Sequence, residues 1–226
     1  MNYLVVVAHP DDEVLGCGAT IARLLKEGHD VHACILSSKC RTRYDMATDD
    51  LLDDMQKSHN ILGLTKRYVG NCRCLCFKDE PHEETVKFVE LAIIDSQADV
   101  LITHHPADLN NDHYITSIIC QEAARLPQRQ LGYSRRIQNI LFMEIASATE
   151  WALNDSLNKF SPNTFVSVTA DHLLAKVGAL TVYNNVVRPV PHPRAGEVIM
   201  ANALLRGAQA GYHYAEAFQS VMRLEI

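Results

Sequence analysis

The chain has 226 residues, with 21 Lys+Arg against 27 Asp+Glu, a formal charge of −6, 47% apolar residues and 11 histidines. That size and composition suit one α/β domain, residues 1–226, with a full hydrophobic core and no wholesale disorder. A net acidic chain without long Lys/Arg runs grips nucleic-acid phosphates poorly, and no apolar run approaches the ~20 residues that cross a bilayer.

The first residues, Met1-Asn2-Tyr3-Leu4-Val5-Val6-Val7, carry no basic segment and run straight into His9 and Asp11. They read as a core strand and not as a signal peptide, so a cytoplasmic protein is expected. The chain has 7 cysteines, an odd number that argues for reduced thiols. Cys72, Cys74 and Cys76 alternate like one face of a strand. No C-x-x-C pair frames them, so they read as buried structural thiols and not as metal ligands.

In chain order, residues 3–8 form a continuous β-branched run of the kind covered on both faces of a sheet. A helix follows over 13–26, with Gly28 placed to stop it. Residues 31–36 predict a second strand. The segment 37–58 begins polar and becomes helical, ending at Leu62-Gly63. A short strand is expected over 72–77, a helix over 84–94, a buried strand over 99–103, a helix over 114–125 and a strand over 137–145. Then come a strand over 165–168, helices over 172–183 and 197–212, and a closing edge strand over 217–224. Short buried strands alternating with helices predict a Rossmann-like, mostly parallel, doubly wound α/β sheet with C-terminal helices. The stretch from Arg188 to Arg194 (RPVPHPR) reads as an extended loop between helices.

Chemistry concentrates at two strand ends. His9-Pro10-Asp11-Asp12-Glu13 follows the first strand, where open α/β sheets place their ligands. Helix capping by Asp11 or Asp12 fits part of this pattern, but capping needs neither His9 nor three acids. Crowded carboxylates repel unless a cation or protons neutralise them. The strand ending in Thr103 leads into His104-His105-Pro106-Ala107-Asp108-Leu109-Asn110-Asn111-Asp112-His113. The two ends can converge at one switch point of the sheet. A hydrolytic zinc site needs His, carboxylate and His with an open position for water, and His9, Asp12 and His113 would supply it. At least one of His104 and His105 is expected to be a satisfied core histidine or a partner to a ligand. Gly16-Cys17-Gly18 lacks the third glycine of a dinucleotide loop and reads as close helix-on-sheet packing. No G-x-S-x-G elbow frames Ser147.

These motifs resemble the PIG-L/LmbE-like deacetylases. The resemblance rests on His9-Pro10-Asp11-Asp12-Glu13, on Asp108-Leu109-Asn110 with Asp112-His113, and on Ser147-x-Thr149-Glu150-Trp151. It continues through the Arg188–Arg194 stretch, Leu205-Arg206-Gly207 and Glu216-Ala217-Phe218. It covers nearly the whole chain, and its later motifs resemble a bacterial branch associated with glycans and natural products. The resemblance implies a Rossmann-like fold and one divalent metal, usually zinc, with Fe2+ or Co2+ fitting similar ligands. It implies removal of an acetyl group from an N-acetylglucosamine-like amino nitrogen. By motif position, His9, Asp12 and His113 carry over as metal ligands and Asp11 as general base.

Many relatives have a histidine where this chain has Asn110, which can donate a hydrogen bond but cannot act as an acid. His192 is then the candidate for that work, His105 a second candidate, and Asp112 a carboxylate behind a ligand. Relatives also often carry a basic residue in the helix before Leu62-Gly63, where this chain has Leu51-Leu52-Asp53-Asp54. Arg43, Arg188 and Arg194 are the alternatives for contacting substrate. Competing expectations are hydrolysis of another small N-acyl or carbamoyl amide, and a non-enzymatic sugar or nucleotide binder whose His/Asp cluster is structural. The partner expected is a small N-acetylated sugar, free, nucleotide-linked or lipid-linked, and the sequence leaves room for a homo-oligomer.

Overall fold

The structure is a computed structural model, and it describes residues 1–38, 48–129, 132–133, 135–153 and 158–224. Seven strands form one mixed sheet in the order β3-β2-β1-β4-β5-β7-β6. They are β1 (Asn2–Val7), β2 (Asp30–Ile35), β3 (Lys66–Val69), β4 (Val100–His104), β5 (Asn139–Met143), β6 (Thr164–Val168) and β7 (Tyr214–Arg223). The first five are parallel to one another, whereas β7 runs antiparallel to both β5 and β6. The helices are α1 (Asp12–Lys26), α2 (Thr48–Leu62), α3 (His82–Ser96), α4 (Asn111–Ala123), the single turn α5 (Leu126–Arg129), α6 (Ala170–Thr181) and α7 (Gly196–Ala210).

The sheet is covered on both faces, as continuous apolar strands require. On one face Val5, Val7, Ala33 and Ile35 pack with Val14 and Leu24 of α1, Met55 of α2 and Leu180 of α6. On the other, Leu4, Val6, Cys34 and Leu36 pack with Val89 and Ile93 of α3 and Ile119 of α4. The period-two alternation along β1 and β2 sorts these side chains between the two layers. From β1 the chain winds outward through β2 to β3, then returns to β4 on the other side of β1. The carboxyl ends of β1 and β4 therefore flank the switch point, where such sheets leave a crevice.

Two expected strands differ. The strand expected over 72–77 lies instead at Lys66–Val69, paired with β2. Its Lys66-Arg67-Tyr68-Val69 sequence is polar because β3 is an edge with exposed and half-buried positions. The chain stays beside β2 for a little longer, with Cys72 N–H donating to the Leu36 carbonyl at 3.0 Å, and then leaves the sheet. It leaves because the Leu75 and Phe77 amides turn to the Asp112 carboxylate, at 2.5 and 3.2 Å. The closing strand β7 is not at the edge: it inserts between β5 and β6, and β6 is the outer strand. The first part of segment 37–58 and Arg43 lie outside the described residues.

Helix α1 is broken at Cys17, whose φ −148° and ψ 26° are not helical. A break exposes amides that have lost their carbonyl partners. Glu216 of β7 meets them, accepting from Ala19 N–H at 3.3 Å and Thr20 N–H at 2.6 Å, and its charge is balanced by buried Lys176 of α6 at 2.6 Å. Gly16 stands at the same place because a Cβ there would lie 2.3 Å from Met143 Sδ and 2.9 Å from Ile145 Cδ1. The Gly-Cys-Gly motif is thus a helix-on-sheet contact. Glu216→Ala strands Lys176 and two amides, so it should cost about 3–5 kcal/mol in urea unfolding, as for one partner of a buried ion pair. Glu216→Gln keeps the acceptor and should cost less.

Candidate metal centre

The turn between β1 and α1 is strained. Asp11 has φ 95°, a left-handed conformation unusual for a non-glycine residue. Its carbonyl accepts from the Val14 and Leu15 amides at 3.1 and 2.8 Å, which starts the helix directly after the turn. Asp12 Oδ2 turns back to His9, accepting its backbone N–H at 3.0 Å with its ring Nδ1 at 3.1 Å. Leu75 (φ 61°) and Ser147 (φ 75°) are likewise left-handed, and both line the same open cavity of about 550 Å³ as His9, His113 and Arg194. Three strained positions around one crevice fit the tendency of such backbone to cluster at functional sites.

His9, Asp12 and His113 each offer a donor atom, all within 4.8 Å of one another, and all three are buried. His113 Nε2 lies 3.2 Å from Asp12 Oδ2. Each imidazole also meets a carboxylate on its far nitrogen. His9 Nε2 lies 2.9 Å from Asp112 Oδ2, and His113 Nδ1 lies 3.2 Å from Asp108 Oδ2. Metal-bound histidines are typically oriented in this way. Asp108 is held in turn by the Thr149 hydroxyl, which donates to it at 2.7 Å and itself accepts the Ile145 amide. Asp112 is fixed by the Leu75 and Phe77 amides, and Asn110 caps α4 by accepting the Asp112 amide at 3.0 Å.

The electrostatics call for positive charge at the centre. Burial would push both imidazoles down. For His9, hydrogen bonds to Asp112 and Asp12 overcome it and hold the ring well above its ordinary value. For His113 the charge of Asp12 and the Asp108 contact do the same. Burial would raise Asp12, but His113 and His9 hold it well below the usual carboxylate range. Asp12 Oδ1 and His113 Nε2 are nevertheless buried without a hydrogen-bond partner. Buried unpartnered N and O atoms, on residues whose ligand atoms lie within 4.8 Å of one another, fit a divalent cation.

Other expected residues divide. Arg194 is at the cavity, with Nη1 3.4 Å from Asp11 Oδ2 and Nε bonded to the Ala146 carbonyl and the Ser147 hydroxyl. His192 is not on the cavity wall. Its Nδ1 accepts the Arg194 amide at 3.0 Å, so it braces the loop that carries Arg194. His105 turns away from the crevice, wedged edge-on against Phe142 and Phe160. Its Nδ1 accepts the Ala107 amide and its Nε2 meets Gln219, so both nitrogens are engaged. Arg188 is exposed and bonds the Asn185 carbonyl. His104 is the fully buried neighbour: it accepts the Ala8 amide at 2.9 Å and stacks on His113 with ring centres 4.0 Å apart.

Sequence reasoning assigned no role to Asp108, Thr149 or the buried pair of Glu13 with His59, 2.9 Å apart, which ties α2 to the turn between β1 and α1. Asp108 had a signal in its spacing from His113. His59 had none, being one polar residue among many on its helix.

A family model described as "PIG-L: GlcNAc-PI de-N-acetylase" matches residues 4–124, just over half of the chain. The chain belongs to this family of deacetylases. The PIG-L match spans both strand ends that build the site. Among curated proteins, "Uncharacterized deacetylase YaiS" of Escherichia coli (strain K12) is 29% identical over 189 residues, 78% of this chain and 87% of that protein. Two solved structures share the fold. The N,N'-diacetylchitobiose deacetylase of Pyrococcus horikoshii has a TM-score of 0.75 at 20% identity, covering 97% of this chain and 83% of its own. GalB, the 4-carboxy-2-hydroxymuconate hydratase of Pseudomonas putida KT2440, has a TM-score of 0.75 at 22% identity, covering 100% and 98%. At such identities they show the fold alone, and the two names show that it hosts more than one chemistry.

If Asp108 orients His113 as a ligand, Asp108→Asn should weaken metal binding by about 10–100-fold, measured by competition with a chromophoric chelator. Thr149→Val should weaken it in the same direction by less.

Proposed function

We propose that this protein is a zinc-dependent N-deacetylase that removes the acetyl group from an N-acetylated, GlcNAc-like amino sugar. The observation that carries the reading is the pair of imidazoles flanking Asp12, each backed by its own carboxylate, beside a second and strained aspartate. Family membership supplies the bond to be cleaved.

His9, Asp12 and His113 would hold the ion, with the donor chemistry of a hydrolytic zinc site. When bound, such an ion supplies a Lewis acid and lowers the pKa of water toward ~7. The remaining work falls to the chain. Asp11 and Asp12 are neighbours, yet the φ of 95° at Asp11 lets them serve different tasks. Asp12 is spoken for by His9 and His113. Asp11 takes the proton of the attacking water as the water adds to the amide carbonyl, and returns it to the departing amine. Arg194 anchors Asp11 from the cavity side, and its guanidinium offers N–H donors where negative charge develops. Asn110 lines the cavity too. Its carbonyl is committed to capping α4, so its amide nitrogen is what remains for the substrate.

The test is acetate release. Zinc-loaded protein should liberate acetate and free amine in equal amounts from at least one of a set of free, nucleotide-linked and lipid-linked N-acetylated amino sugars. Release from other N-acyl or carbamoyl amines alone would shift the substrate class. No release from any, with metal bound, would contradict the reading. Asp11→Asn should keep the metal and lose about 10²–10⁴-fold in kcat, the usual worth of a general base. His113→Ala should lose metal and turnover together.

A further inference from the structure

The segment after β3 brings a thiol to the site. Cys74 is 9% exposed, lines the same cavity as His9, and hydrogen-bonds the His9 ring. Its sulfur, one ring nitrogen of His9 and a carboxylate oxygen of Asp112 all lie within 4.8 Å of one another, and all three residues are buried. His9 Nε2 already sits 2.9 Å from Asp112 Oδ2 on the edge of the ring opposite Asp12.

We propose that Cys74, His9 and Asp112 form a second binding site, for a thiophilic divalent cation such as Zn2+, Co2+ or Cd2+. The site is distinct from the His9/Asp12/His113 group and shares only His9 with it, through the other ring nitrogen. Thiolate, imidazole and carboxylate together suit these ions, and the sulfur excludes Mg2+ and Ca2+ by its softness. Binding forms metal bonds to Cys74 Sγ, His9 Nε2 and Asp112 Oδ2. It releases the thiol proton and the proton between His9 and Asp112 to solvent, with no redox change. The cavity gives the ion a route in. Asp112 is held in place by the Leu75 and Phe77 amides, so the carboxylate is positioned before any ion arrives. Because the sites share one imidazole, they oppose each other, and the second ion binds more weakly than the first. The position of the thiol follows from the chain leaving the sheet. Cys74 also packs at the margin of the apolar layer formed with α1, α2 and α6.

The site stands on ligation alone, whatever bond the neighbouring centre cleaves, so its test does not use turnover. Full-length protein is titrated with Co2+ and followed by absorption. The first equivalent should give only d–d bands. The second should add a thiolate-to-cobalt charge-transfer band in the near ultraviolet, lost in Cys74→Ser and retained in Cys72→Ser and Cys76→Ser. Protection is the second measurement and needs no variant: the second equivalent should shield Cys74 from alkylation, located by peptide mass. Thiolate absorption with the first equivalent would overturn the proposal. So would its absence with the second, its persistence in Cys74→Ser, or unprotected Cys74. The deacetylase reading would then stand or fall separately on acetate release.

Discussion

Buried carboxylates around two imidazoles are the constraint on which this structure turns. Asp11, Asp12, Glu13, Asp108 and Asp112 are all buried behind the wall of one crevice. So many carboxylates leave water only where positive charge compensates them. His9 and His113 each contact two of the acids, His59 and Arg194 one each, and a cation held by His9, Asp12 and His113 would complete the balance. The network is costly to bury and gains nothing that an apolar core would not provide more cheaply. Its place at the switch point fits a functional site better than a packing solution.

The fold holds that network from several directions. The β1 turn supplies His9, Asp11 and Asp12, and α4 supplies Asp112 and His113 from its first turn. The loop after β3 closes one side by donating two amides to Asp112. The 145–149 segment closes another through Thr149 on Asp108. His192, by bracing the backbone of Arg194, brings the C-terminal loop over Asp11. Each support reaches the centre through one or two hydrogen bonds, so small losses far from the cavity propagate to the orientation of an imidazole.

Most of this frame was legible in the sequence. Strands β1, β2 and β4 are buried on both faces and stand out as short apolar stretches, β-branched in β1, and the helices between them follow from periodicity. The misplaced strand shows the limit. Cys72, Cys74 and Cys76 alternate as a strand would, whereas β3 is an edge with polar residues and little alternation. Only a partner 35 residues or more away, Asp112, decides that the cysteines leave the sheet. The position of β7 was hidden for a related reason, since strand order depends on long-range pairing and not on local pattern. At the site, HPDDE and D-x-x-x-DH were readable because neighbouring residues carry them. The directions of His105 and His192 were not readable, because composition says nothing of direction. Successive residues of a strand point to opposite faces, so His104 meets His113 while His105 meets Phe160. Thr149 and His59 act through residues distant in sequence and left only faint local signals.

The central claim is that one divalent ion sits between His9, Asp12 and His113, beside Asp11. Anomalous diffraction from crystals of protein loaded with a single equivalent of zinc tests it directly. The account predicts one strong peak about 2.0–2.2 Å from a nitrogen of each histidine and an oxygen of Asp12, with Asp11 outside the coordination shell. No peak in the crevice, or a single peak bound elsewhere on the protein, would contradict it.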